Sequence, residues 1–223
     1  MARVLILVEG QTEEQFIKVH LQTTLAKKGI YINPTILRTK TVKSGKYFKG
    51  GVISYAQVKR DLHNLFQDTN ANLITTMFDL YGLPDDFPGR SSHEYKTQTD
   101  CYKRVEIIEN SFREAICDNR FHPYLQLYEF EALLFSEPAK IAEISNEPEK
   151  LANKLNNIRS QFRTPEEIDD NPNTCPSRCI LQIVPKYRKV HSGTIIAREI
   201  GLEKIRSECP HFNQWIKTLE LLA

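Results

Sequence analysis

Acidic side chains stand at the ends of three stretches that read as buried strands. Glu9 closes the apolar run 3–8, Asp79 closes 73–78, and Glu129 and Glu131 lie at the end of 124–130. Open α/β sheets gather their loops at the carboxyl edge, so acids at strand ends meet in a common crevice. On an extended strand alternate residues share a face and each residue advances about 3.3 Å, which sets Glu129 and Glu131 about 6.5 Å apart on one side. A helix that begins at Phe130 breaks that geometry. Two carboxylates so spaced repel by about 2.5 kcal/mol at an effective dielectric near ~20, and Glu9 and Asp79 add to the load. A shared cation relieves it. Hard oxygen ligands suit Mg²⁺ or Mn²⁺, which take one or two carboxylates with waters and leave positions for phosphate oxygens. Such an ion generates a hydroxide nucleophile and stabilises charge on a phosphoryl group. Taken singly, each of these acids has a plainer explanation as a helix cap or solvated loop residue, and only their joint occurrence favours a site.

Phosphate binding also needs positive charge. The densest basic run is Lys186, Arg188, Lys189 and His191, with Arg178 a little upstream. Arg178, Lys186, Arg188 and Lys189 are candidate contacts to a nucleic-acid backbone, with Tyr187 placed to stack on a base. A solvated loop, or a docking face for an acidic partner, explains the same charges. Lys40, Lys43, Lys46 and Lys49, with Tyr47 and Phe48, make a second basic loop that reads more simply as an exposed hairpin.

Several chemistries lack support. The five cysteines are an odd number without a paired CxxC rhythm and are expected to be free thiols. Cys175, Cys179, Cys209 and His211 match no common zinc spacing. No histidine sits in a triad-like context with serine or cysteine. There is no GxxxxGK[ST] loop, so ATP, if used, is used by a partner.

The elements that must position the acids follow from periodicity. After Glu9-Gly10, Thr12 with Gln15 forms a capping box, and Ile17, Leu21 and Leu25 line a helix that Gly29 stops. A second extended stretch is expected over 34–39, a helix through Val58, Leu62, Leu65 and Phe66, a strand over 73–78, and a helix through Val105, Ile108, Phe112 and Ile116. Tyr124 to Phe130 reads as a fourth strand. This β-α-β-α-β rhythm predicts a mainly parallel sheet flanked by helices. Beyond Pro138 the pattern becomes helical, so a core over 1–138 and a mostly helical elaboration over 139–223 packed on it are expected.

The chain has 223 residues and a formal charge of +2, with 30 basic and 28 acidic side chains. It therefore lacks a global positive field, and any nucleic acid must be held by a local patch. No apolar run approaches the roughly 18 to 20 residues of a membrane span, and 4–8 is too short for a signal peptide, so a cytoplasmic location without membrane contact is expected.

The segment Val8-Glu9-Gly10-Gln11-Thr12-Glu13 resembles the VEGxTE opening of TOPRIM domains, the fold shared by topoisomerases, bacterial primases, recombination-repair proteins and overcoming-lysogenization-type nucleases. The whole chain resembles more closely a bacterial TOPRIM-like family catalogued as domain of unknown function 4276, through MFDLYGLPDDFPG (77–89), YEFEALLF (128–135), PSRCILQIVPKY (176–187) and the GLEKIRSECPHFNQW ending. The resemblance implies a TOPRIM-like core in which Glu9 is a general acid/base or metal ligand, Asp79 a metal ligand, and Glu129 or Glu131 completes the site, with Glu13 a further ligand. It implies a Mg²⁺- or Mn²⁺-dependent nuclease of bacterial anti-phage or mobile-DNA defence, acting on DNA or RNA beside an ABC-type ATPase. Primase-like nucleotidyl transfer uses the same acids but needs a nucleotide pocket that the sequence does not reveal. One departure stands out: the usual D-x-D is Asp79-Leu80-Tyr81, and a phenol with a pKa near ~10 is a poor cation ligand. Either Asp85 or Asp86 substitutes, or one metal suffices, or the module binds nucleic acid or an ATPase without cutting.

Overall fold

The computed structural model describes residues 1–38, 52, 54–168 and 175–223. The basic loop 40–51 and residues 169–174 lie outside them.

Strand β1 (Ala2–Val8) leads into helix α1 (Gln11–Phe16), which passes through a π-helical turn (Ile17–Leu21) into α2 (Gln22–Ala26). An apolar stripe at every fourth residue drifts by about 40° per step on an α-helix, and the single wider turn offsets that drift. Ile17, Leu21 and Leu25 are accordingly all buried. β2 (Ile30–Ile36) begins earlier than the proline-centred stretch at 34 suggests, and Pro34 is tolerated because β2 is an edge strand. Helix α3 (Tyr55–Phe66), β3 (Leu73–Asp79), the short α4 (His93–Thr97) and α5 (Cys101–Ile116) follow, then β4 (Phe121–His122) and β5 (Leu125–Gln126).

The expected strand over 124–130 is reduced to β5. Tyr128 takes a left-handed backbone (φ 59°), Glu129 is extended, and a 3₁₀ turn (Phe130–Ser136) begins at once. The remaining helices are α6 (Pro138–Ala142), α7 (Pro148–Arg159), α8 (Pro176–Ile183), α9 (Lys189–Ile200), α10 (Leu202–Glu208) and α11 (Pro210–Glu220).

All strand pairs are parallel, in the order β2-β1-β3-β4, with β5 on β3. The fold is a mainly parallel sheet with flanking helices. Alternation along β1 sends Val4, Ile6 and Val8 into one core with α1, α9 and α11, and Leu5 and Leu7 into another with α3 and α5. The order reverses between β1 and β3, whose connections leave on opposite sides, and such a switch point opens a crevice at the carboxyl edge. Glu9 and Asp79 stand at the ends of those two strands.

Cys101, Cys117 and Cys209 are free thiols. Among the described residues no helix is long and apolar enough to cross a membrane.

Candidate active site

The crevice is assembled by backbone donors. The Asp79 amide donates to Glu9 Oε2 at 3.0 Å, and the Phe130 amide donates to Asp79 Oδ1 at 2.9 Å. The first binds the ends of β1 and β3 together, and the second fixes the 3₁₀ turn to β3. Helix α1 is capped by Gly10, whose amide donates to Glu13 Oε2 at 2.9 Å, rather than by the Thr12–Gln15 pair that spacing suggests. That return contact turns Glu13 back into the crevice, where it is buried.

Helix α9 supplies the counter-charge. Lys189, its first residue, places Nζ 3.2 Å from Asp79 Oδ2 and 3.2 Å from Glu131 Oε2. The helix N-terminus adds its own positive field to the same acids. Tyr187 donates its hydroxyl to Glu131 Oε1 at 3.2 Å. Helix α9 can lie this close because of Gly193, where a Cβ would stand 3.1 Å from the Tyr187 hydroxyl and 3.2 Å from Phe130 Cε1.

The structure thus brings Glu9, Glu13, Asp79 and Glu131 together around Lys189. Glu129 is set differently: with Phe130 already helical, the two glutamates do not share a strand face, and Glu129 Oε2 instead accepts the Ser177 amide at the start of α8 at 2.9 Å. Of the basic candidates, Arg178, Lys186 and Arg188 are exposed, whereas Lys189 turns inward to the acids. Tyr187 is only 5 % exposed and cannot stack on a base. Asp86 accepts the Tyr55 amide at the start of α3, and Asp85 is exposed. Tyr81, at that second position, is 39 % exposed. Nothing in the local sequence marks Tyr187 or Lys189 as partners of acids far upstream.

The electrostatics are those of a crowded, dry carboxylate cluster. Loss of solvent raises Glu9 to about 8, with Asp79 and Glu13 pushing the same way. Burial also raises Glu13 to about 7, helped by Asp79. Burial raises Glu131 to about 6, against the pull of Lys189. Asp79 is raised by burial as well, with Lys189 opposing. Burial alone would lower Lys189, but Asp79, Glu131, Glu13 and Glu9 outweigh it and hold the ammonium above its ordinary value.

The donor set fits a hard divalent cation in type, since every ligand atom is a carboxylate oxygen. Glu131 Oε2 is buried without an aligned hydrogen-bond donor, although Lys189 Nζ lies 3.2 Å away. Among the described residues no three His, Cys, Asp or Glu side chains already stand at metal-binding spacing. Lys189 therefore supplies part of the positive charge that the sequence alone would leave to an ion.

The family model described as Domain of unknown function (DUF4276) matches residues 8–220, nearly the whole chain and all of these acids. The chain belongs to the DUF4276 family. No curated protein matches this DUF4276 chain. Among solved structures it is similar to the C-terminal region of the Xanthomonas campestris pv. campestris OLD protein phased with mercury, at 16% identity over 98% of both chains, with a TM-score of 0.38. The same region phased with platinum gives 17% identity over 97% of this chain and 95% of that one, with a TM-score of 0.36. A superposition this loose carries no argument about the DUF4276 site, which stands on its own geometry.

Proposed function

We propose that this DUF4276 protein is a TOPRIM-type, divalent-cation-dependent nuclease that hydrolyses nucleic-acid phosphodiesters. The observation that supports this most is the convergence of Glu9, Glu13, Asp79 and Glu131 on one rim at the β1/β3 switch point, with Lys189 among them. Glu9, Glu13, Asp79 and Glu131 are the residues that would hold Mg²⁺ or Mn²⁺, and the ion would supply Lewis-acid polarisation of a phosphoryl oxygen and a lowered pKa for water. Lys189 neutralises the non-bridging oxygens of the scissile phosphate. Tyr187 keeps Glu131 oriented, and Glu129 keeps α8 against the crevice. Burial raises the Glu9 carboxyl to about 8 when no ion is bound, so Glu9 would serve as proton carrier for the attacking water or leaving oxygen where the cation rests on the other three acids. In the reaction a water oxygen bonds to phosphorus, the P–O bond to the leaving nucleoside breaks, and that oxygen gains the proton the water loses. Arg178, Lys186 and Arg188 contact backbone phosphates. We place the activity in bacterial defence against phage or mobile DNA, beside an ABC-type ATPase.

A second reading is a silent module that binds nucleic acid or such an ATPase. Lys189 bridging Asp79 and Glu131, and Tyr81 in place of an acid, favour it. The two readings part in a cleavage assay on single- and double-stranded DNA and RNA with and without Mn²⁺. A nuclease loses at least about 100-fold of its rate in Glu9→Gln and in Asp79→Asn. Undiminished cleavage in both variants, or no ion-dependent cleavage by the wild type, overturns the nuclease.

A further inference from the structure

Beside the acids, on the α4/α5 side of the sheet, lies a pocket of about 190 Å³ lined by Leu80, Tyr81, Arg90, Tyr95, Arg104 and Tyr128. It belongs to the same rim. Leu80 and Tyr81 directly follow Asp79, Tyr128 directly precedes Glu129, and the Tyr81 amide donates to the Tyr128 carbonyl at 3.1 Å. Two residues of chain reach at most about 7 Å.

The pocket is a built arrangement of donors. Tyr95 is buried, and its oxygen accepts from Arg90 Nη1 at 2.6 Å and from Arg104 Nη2 at 3.2 Å. The two guanidinium carbons lie 5.3 Å and 4.8 Å from the centre of the Tyr95 ring. With both lone-pair directions of the phenol oxygen occupied, its own hydrogen is left to donate, and no acceptor for it stands among the described residues. Arg90 likewise has no carboxylate partner among the described residues. Its position is fixed by the turn before it: Gly89 has φ +83°, and a Cβ there would stand 2.8 Å from Ser111 Oγ on α5. The Ser92 hydroxyl accepts the Tyr95 amide at 3.1 Å and holds the first turn of α4.

A planar fork of guanidinium N–H groups beside a phenol O–H matches the oxygens of a phosphate. Tyr81, half out of the protein at the pocket mouth, offers a ring face to the attached nucleoside. Resting on the nuclease reading above, we propose that Arg90 and Tyr95, the latter held by Arg104, form a subsite for the substrate phosphate next to the scissile one, with Tyr81 stacked on the intervening nucleoside. The tyrosine at the second acid position is then a substrate contact in place of a lost metal ligand.

The probe is thymidine 3′,5′-bisphosphate, titrated calorimetrically into the full chain in EDTA, with inorganic phosphate alongside. Arg90→Gln is expected to weaken bisphosphate binding at least tenfold, and Arg90→Lys, which keeps the charge without the fork, to weaken it less. Arg198→Gln, on α9 away from the pocket, stays within twofold. Tyr81→Ala weakens the bisphosphate and leaves inorganic phosphate unchanged. Thermal unfolding of each variant confirms that it folds; should Arg90→Gln fail to fold, Arg90→Lys and Tyr95→Phe carry the comparison. Equal affinity in wild type and these variants, or no binding by the wild type, overturns the subsite. If Arg90-dependent binding persists while no cleavage depends on Glu9, only the nuclease reading falls. If cleavage needs Glu9 but Arg90→Gln keeps kcat, KM and bisphosphate affinity, only the subsite falls.

Discussion

Lys189 decides how the acidic rim behaves without an ion. Its ammonium is 3.2 Å from both Asp79 and Glu131, and its side chain is 41% exposed, so solvent shares the work. Removing it as Lys189→Met leaves the carboxylates with only the α9 N-terminus and their hydrogen-bond donors to offset their charge. The cost depends on pH because Glu131, Glu13 and Glu9 ionise near about 6, 7 and 8. At pH 5 these groups are largely protonated and the substitution is expected to cost little. At pH 8 it is expected to cost roughly 1–3 kcal/mol, between the values for exposed and for fully buried pairs because Lys189 is partly solvated. Urea denaturation at both pH values measures the difference, and equal losses would contradict the assignment of Lys189 as counter-ion. Replacement of the Tyr187 hydroxyl in Tyr187→Phe removes one donor to Glu131 and is expected to cost about 1 kcal/mol. Denaturant titration checks this, and a neutral result would mean the hydroxyl does not hold Glu131.

At the scale of elements, the packing of α9 on the crevice turns on Gly193. A methyl group there presses on Tyr187 and Phe130 together, so Gly193→Ala is expected to destabilise by about 1–2 kcal/mol and to reduce ion-dependent cleavage. Gly29→Ala is the matched comparison: its left-handed φ of +77° costs about 1 kcal/mol, but nothing lies within 4 Å, so cleavage is unchanged. Similar cleavage in both variants would show that α9 need not sit so near. The elements carrying Glu9 and Asp79 were legible in the sequence, because continuous apolar runs ending in acids mark buried parallel strands. The stretch 124–130 was not legible. Its composition suits a strand, but Tyr128 adopts a left-handed backbone that no periodicity announces in a tyrosine, and the chain turns into a 3₁₀ helix at Phe130. The capping pair is ambiguous in the sequence for a related reason: Thr12–Gln15 and Gly10–Glu13 share the same three-residue spacing, and only the second puts a carboxylate in the crevice. Lys189 and Tyr187 were visible as a basic, aromatic run, but their inward direction is a long-range fact of how α9 packs on α1.

For the whole molecule, the parallel sheet concentrates charge where β1 and β3 diverge, and that makes stability depend on pH. Carboxyls raised above the ordinary 4.5 hold protons in the folded chain that the unfolded chain has released, so the folded state is progressively penalised as pH rises from about 4.5 to about 8. Tm in EDTA is therefore expected to fall over that interval, and Mn²⁺ at pH 8 is expected to restore it. Thermal scans across pH check both, and a Tm indifferent to Mn²⁺ at pH 8 would count against a cation at the rim. The most direct test is a calorimetric titration of the full chain with Mn²⁺ at pH 7.5, beside Asp79→Asn. Saturable, stoichiometric binding by the wild type with release of protons, abolished in the variant, is the expected result; no saturable binding, or binding that survives loss of the Asp79 charge, would contradict a cation shared among these carboxylates.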